Sequence, residues 1–301
     1  MNLSKTFYES VTRNAKYGFF ELDEKYRRIT SSFYKDEYYQ DEHALYQLEE
    51  YDELDLVSKN NFYNQKLYIV KKYIEGGHSL LDIGCGEGYA PKFFHDKGWT
   101  VKGIDFSSYG IETHNPSKKD KLIQGDFYNV INDLGKDNVT FDFINADNVL
   151  EHLPKPEEFF ESLTKVSRNG TVLCVTVPND FSRIQKLAFA NDFIEDAFWV
   201  TKDTSEHFNY FGVDSLSSLG NNKGFEKIIA ISDWPIDFFL LNNKTNYKKD
   251  TSLGHDCHVA CSLLQNAIYE DSMDKAIKFF SALADIGIGR EISVYFRRCV
   301  E

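Results

Sequence analysis

Between Ser79 and Tyr89 the chain reads Ser-Leu-Leu-Asp-Ile-Gly-Cys-Gly-Glu-Gly-Tyr, and no other stretch restricts its fold as much. The apolar run of Leu80, Leu81 and Ile83 predicts a buried strand. It breaks into Gly84, Gly86 and Gly88, and the residues from Tyr89 to His95 predict a helix. Strand, glycine-rich turn and helix make the nucleotide-binding corner of a doubly wound α/β sheet. Glycine suits such a corner because the backbone turns sharply and must approach a ligand with no Cβ in the way.

The spacing selects among nucleotide ligands. A dinucleotide fingerprint runs Gly-x-Gly-x-x-Gly, but here Tyr89 holds the third glycine's place and Gly88 comes one residue early. Asp82 stands two positions before Gly84, inside an otherwise apolar strand. A buried carboxylate needs a partner. It sits badly beside a pyrophosphate and well beside a ligand with an ammonium and a sulfonium. The stretch resembles motif I of the class I S-adenosylmethionine-dependent methyltransferases. That resemblance implies a cofactor cradle at Asp82, Gly84, Cys85, Gly86 and Gly88.

Downstream segments fit the same family in order. Trp99 to Ile104 alternates into a second strand ending at Asp105, whose carboxylate can accept the ribose hydroxyls of an adenosyl group; Phe106 follows it. Leu122 to Phe127 marks a third strand and its exit. By resemblance Asp126 takes the exocyclic amine of adenine, with the backbone or ring of Phe127 beside it; Asp126 is equally fit to cap the next helix. Val139 to Asn145 predicts a fourth strand running into Ala146, Asp147 and Asn148 and then Leu150-Glu151-His152, similar to ubiquinone-type and sugar methyltransferases. Asn169-Gly170 predicts a turn before a fifth strand at Thr171 to Val177. Ser205 to Phe211 resembles the His-x-x-Tyr-Phe of small-molecule methyltransferases, which places His207 in the acceptor-facing segment.

These elements predict a Rossmann-like α/β fold with a seven-stranded, mostly parallel sheet in the order 3-2-1-4-5-7-6, strand seven antiparallel. A helix capped by Ser58 and carrying Tyr63, Leu67, Val70 and Ile74 precedes the first strand. Strand six is expected at Glu226 to Asp233 and strand seven at Glu291 to Phe296, with a helical insert over about 235–289. The second helix of that insert starts after Ser272 and carries Ala276, Phe279, Leu283 and Ile286. The methyltransferase domain spans 57–301. Residues 1–56, charged, rich in tyrosine and without a strand signal, read as an arm over the cofactor site. In that arm Tyr38 and Tyr39 either anchor the chain or line the cofactor pocket, where a ring face can meet a sulfonium.

Composition narrows the partners. The net charge is −13, whereas nucleic-acid binding draws on phosphate neutralisation, so a nucleic-acid substrate is not expected. Five scattered cysteines suit a reducing compartment. No apolar run reaches the ~18 residues of a membrane helix, and Met1 to Lys5 begins no signal peptide. The expected protein is cytoplasmic, without membrane insertion, and a homodimer stays open.

The expected activity is methyl transfer from S-adenosylmethionine to a small-molecule acceptor. First choice is O-methylation of a sugar, nucleotide-linked or part of a surface polysaccharide or natural product. A quinone-like or other natural-product hydroxyl and an amino-sugar nitrogen are the alternatives, and a non-catalytic cofactor-binding subunit is the rival of another class. Arg183, Lys186, Lys202 and Arg290 could meet a diphosphate. A sugar hydroxyl needs a base, and histidine titrates in the right range. Of eight histidines, His207 ranks first and His152 second, with Glu151 as an orienting carboxylate. His255, Cys257, His258 and Cys261 resemble a metal cluster but lack ligands from a second element, so no metal is expected.

Overall fold

The computed structural model describes residues 10–26, 51–74, 76–195 and 207–300. Two short strands, β1 (Val11–Arg13) and β2 (Phe20–Leu22), open it. Helix α1 (Glu53–Lys71) leads to β3 (Ser79–Ile83), the first strand of the main sheet. Alternate residues of β3 enter opposite layers, as strand geometry requires: Leu81 and Ile83 join one core and Leu80 the other. Then follow α2 (Tyr89–Asp96), β4 (Thr100–Asp105), α3 (Tyr109–His114), β5 (Leu122–Gln124), α4 (Phe127–Lys136), β6 (Phe141–Asp147), α5 (Pro156–Leu163) and β7 (Ser167–Pro178). The remainder comprises α6 (Arg183–Ala190), β8 (Asn209–Tyr210), α7 (Val213–Asn222), β9 (Phe225–Ser232), α8 (Gly254–Asp271), α9 (Met273–Asp285) and β10 (Glu291–Arg298).

The main sheet has seven strands in the order β5-β4-β3-β6-β7-β10-β9. Strand β10 runs antiparallel to both neighbours, and β3 to β7 are parallel. This is the expected Rossmann-like order. One layer packs Ile131 and Leu134 of α4, Phe159, Phe160 and Leu163 of α5 and Leu216 and Leu219 of α7 against the sheet. The other is built from Leu67 and Val70 of α1, Phe94 of α2, Tyr269 of α8 and Phe280 of α9. The segment between β9 and β10 therefore covers the same face as α1. No helix among the described residues is long and apolar enough to cross a membrane.

Four local readings are corrected. Helix α1 is capped by Asp52, whose side chain accepts from the Asp55 N–H, and Ser58 lies inside it, donating to Leu54 O at 3.0 Å; the Asp52/Asp55 capping box was the overlooked signal. The arm contains strands after all: β1 pairs with β2, and β2 with β8. Asn169 and Gly170 lie within β7, and Gly170, at φ 88°, sits where the pairing with β6 shifts register. On α9 the buried stripe is Ala276, Ile277, Phe280 and Ala284, whereas Phe279 and Ile286 are exposed. Phe279 instead stacks on Trp234, with centroids 6.2 Å apart.

Candidate functional site

All the parallel strands end on one edge of the sheet, and the site is built there from three adjoining groups. The first is the glycine turn. Gly84, Gly86 and Gly88 have φ of 66°, 47° and 78°, a region that L side chains avoid. A Cβ on Gly84 would stand 2.5 Å from Val149 Cγ2, and one on Gly88 2.6 Å from Ile111 Cγ1. The turn is fixed from β4: Asp105 Oδ2 accepts from Gly86 N at 2.8 Å and Oδ1 from Ser107 N at 3.0 Å. A carboxylate oxygen can accept a second bond, so Asp105 both braces the turn and can receive ligand hydroxyls. Burial pushes its carboxyl pKa up. Tyr51 reaches the same turn, donating to Glu87 Oε2 at 2.9 Å, its ring 5.5 Å from that of Tyr89.

The second group is a buried polar network under the ends of β3, β6 and β7. Asn145 donates to Asp82 Oδ1 at 2.7 Å and to Asp147 Oδ2 at 2.9 Å. Lys66, buried on α1, donates to Asn145 Oδ1 at 2.7 Å, to Thr176 Oγ1 at 3.2 Å and to Asp147 in a close ion pair. Burial and the Asp147 charge raise the Asp82 pKa to about 7, despite the Asn145 bond and the Lys66 ammonium. Above this network a cavity of about 350 Å³ opens between α1 and α8. Hydroxyls of Ser58, Thr176, Ser232 and Ser293, carboxylates of Asp147, Asp233 and Glu291, and rings of Phe62, Tyr63 and Tyr269 line it.

The third group joins the loop after β6 to the segment after β7. Phe208 N donates to Glu151 O at 2.7 Å, and Asn209 Nδ2 to Leu153 O at 2.6 Å. These tethers bring His207 over His152, with ring centroids 4.8 Å apart at 80°. Glu151 Oε1 lies 3.8 Å from His152 Nε2, and Asp180 Oδ2 lies 3.8 Å from His207 Nδ1. Neither oxygen of Glu151 or of Asp180 accepts a hydrogen bond among the described residues, although both side chains are buried. Burial pushes the Glu151 pKa to about 8, against the opposing charge of His207. One ligand atom each from Glu151, His152 and His207 fall within 4.8 Å of one another, close enough to hold a metal ion. Among the described residues His255, Cys257, His258 and Cys261 form no such group: His258 meets Asp55 at 2.8 Å, and Cys257 donates to Thr245 O.

The structure thus gathers His207, His152 and Glu151 in one cluster, and Asp82, Gly84, Gly86, Gly88, Asp105 and Asp147 in an adjoining one. Phe106 is exposed at the exit of β4. Asp126 caps α4, its Oδ1 accepting from Asn129 N at 3.0 Å. The Phe127 ring is buried against Phe159, 5.4 Å between centroids, so of its two expected contacts with adenine only the backbone remains. The Cys85 thiol packs under the turn, where a Cβ on Gly103 would meet it at 2.7 Å, and its backbone N–H donates to Ile104 O at 3.1 Å while its C=O accepts from Gly88 N at 2.8 Å. Arg290 is no free diphosphate partner, because its guanidinium lies 3.6 Å from Asp180. Tyr38, Tyr39 and Lys202 lie outside the described residues. The sequence reading missed Lys66, Asn145, Asp180 and Glu291. Lys66 left a signal, a lysine beside the apolar stripe of Tyr63, Leu67 and Val70.

Known proteins resemble the chain along this same core. A family profile described as "Methyltransferase domain" matches residues 55–230. A ubiquinone biosynthesis O-methyltransferase of Coxiella burnetii is 22% identical over 190 residues, covering 62% of this chain and 79% of that one. Its counterpart in Rhizobium leguminosarum bv. trifolii is 28% identical over 182 residues, covering 60% and 70%. Among solved structures, a SAM-dependent methyltransferase from Archaeoglobus fulgidus aligns over 79% of this chain and 94% of its own, at 16% identity and a TM-score of 0.47.

Proposed function

The chain belongs to the methyltransferase-domain family, among the class I S-adenosylmethionine-dependent methyltransferases, and from that premise we propose that it methylates a hydroxyl of a small molecule, a sugar first among them. S-adenosylmethionine is its cofactor and supplies a methyl group on a positively charged sulfur. The three glycines of the turn hold a left-handed backbone, and a Cβ on Gly84 or Gly88 would strike Val149 or Ile111, which supports a tight turn fit to approach that cofactor. In this reading Asp105 receives the ribose hydroxyls, Asp126 and the Phe127 backbone the adenine, and Asp82 and Asp147 face the amino-acid end.

The observation that carries the reading is the meeting of His207, His152 and Glu151 beside the cofactor end of the sheet. In-line displacement relies mainly on alignment, and a positioned base adds about 10²–10⁴-fold. His207 takes the hydroxyl proton, with Asp180 at 3.8 Å to stabilise the imidazolium that forms; His152 stands beside it, its Nε2 3.8 Å from Glu151 Oε1. The hydroxyl lining of the neighbouring cavity supports a polyhydroxylated acceptor. Its aromatic walls, and the ubiquinone enzymes among the relatives, support a quinone-like phenol as the alternative. All five cysteines are free, which supports a reducing compartment.

A second reading rests on the same cluster: a divalent cation on Glu151, His152 and His207 would ionise a bound hydroxyl in place of a base. Screening sugar nucleotides, glycans and phenols for S-adenosylhomocysteine formation tests the acceptor. Turnover with phenols alone would overturn the sugar assignment. Loss of turnover on chelation, restored by divalent metal, would favour the cation over the base.

A further inference from the structure

Lys66 is the most deeply buried charge beneath the site, with relative exposure of 0%. A buried ammonium stabilises a fold poorly, and an apolar side chain of similar volume often serves as well. Its neighbours on α1, Leu67, Ile69 and Val70, already supply core packing. What Lys66 adds is direction. Its Nζ donates to Asn145 Oδ1, Asp147 Oδ1 and Thr176 Oγ1. The Asn145 side chain is thereby fixed with its Nδ2 toward Asp82 at 2.7 Å and Asp147 at 2.9 Å. Thr176 Oγ1 is in turn within 2.8 Å of Ser293 Oγ on β10. One ammonium thus joins α1, β6, β7 and β10 under a pair of carboxylates.

We propose that Lys66 is a positioning residue for cofactor binding: through Asn145 and its ion pair with Asp147, it holds Asp82 and Asp147 in one orientation and keeps Asp82 in the anionic form that a cationic ligand needs. The inference rests on the cofactor reading above. The charged and titratable groups that face this pair are Tyr63 from α1, Cys85 from the glycine turn, Asp105 from β4, Cys174 from β7, and Glu291 and Tyr295 from β10. Lys66 is the one cation in direct contact with it among the described residues. With Lys66 present the Asp82 pKa lies near 7, raised by burial and by Asp147 and lowered by Asn145 and Lys66. Without Lys66 that pKa must climb, because a lowering charge is removed and the raising ones stay.

The test is calorimetric titration with S-adenosylhomocysteine, which carries the ammonium, from pH 6 to 9. In the wild type, affinity should strengthen as pH rises through about 7. Lys66→Met should bind at least about tenfold more weakly at pH 7, recover part of the loss by pH 9, and show its midpoint moved upward. Lys66→Arg should keep the wild-type midpoint. A Met variant with unchanged affinity would overturn the proposal. So would one that binds weakly with an unmoved midpoint, since a packing defect alone does that. Should Lys66→Met fail to fold, Asn145→Ser breaks the relay to Asp82 while sparing the ion pair, and its midpoint must rise too; an unmoved one contradicts the proposal. Absence of binding by the wild type would instead remove the cofactor reading itself.

Discussion

His152 and His207 stand edge to face, 4.8 Å between ring centroids, although one follows β6 and the other follows the crossover after β7. Two main tethers enforce the meeting: the Phe208 N–H bond to Glu151 O and the Asn209 amide bond to Leu153 O. The base assignment predicts that His207→Ala lowers kcat by about 10²-fold or more, with cofactor affinity little changed. His152→Ala should give a smaller loss. Steady-state kinetics beside calorimetry separates the two effects; if both variants keep more than about a tenth of wild-type kcat, neither residue is the base.

Asp105 has two duties, so its replacement has two readouts. Asp105→Ala removes acceptors for ribose hydroxyls, each charge-assisted bond being worth about 1.5–3 kcal/mol. Cofactor affinity should fall at least tenfold, the factor equal to about 1.4 kcal/mol. The variant also leaves Gly86 N and Ser107 N without their partner, so its Tm should drop. Weakened stability with unchanged affinity would show that Asp105 serves the turn alone.

Asp233 gives a pH-dependent prediction for stability. Its Oδ1 accepts from Arg290 N at 2.6 Å and Glu291 N at 2.9 Å, and burial pushes its pKa up to about 8. The folded state therefore keeps a proton that the unfolded chain loses near the ordinary carboxylate range. Stability from this group is present at low pH and declines as pH rises toward about 8. In Asp233→Asn the amide oxygen can still accept both N–H groups and no longer ionises. Thermal melts should show the variant gaining on the wild type between pH 5 and pH 8; a constant difference would contradict the raised pKa.

Gly84→Ala puts a Cβ 2.5 Å from Val149 Cγ2 at φ 66°. The left-handed backbone alone carries a penalty of about 1–2 kcal/mol for an L residue. Both Tm and cofactor affinity should fall, and a variant as stable as the wild type would show the turn to be less constrained than this geometry requires.

The sheet was legible because its signals are local. An apolar run broken by glycines, acids at strand ends and β-branched strands each follow from a few consecutive residues. The hairpin of β1 and β2 was not, since three-residue strands carry little pattern and β2 is completed by β8, nearly two hundred residues away. The α9 stripe was missed by one position because Phe279 finds Trp234 rather than the core. For Phe127 the sequence left ring and backbone open as contacts for adenine, because only the fold shows that this first residue of α4 turns its ring inward to Phe159. Lys66 could be seen as a misplaced charge, but its partners lie on β6 and β7 and only the fold names them.

The most direct measurement is titration of the purified protein with S-adenosylhomocysteine and, separately, with NAD. Saturable micromolar binding of S-adenosylhomocysteine is expected, and none of NAD. Binding of NAD with no response to S-adenosylhomocysteine would contradict it.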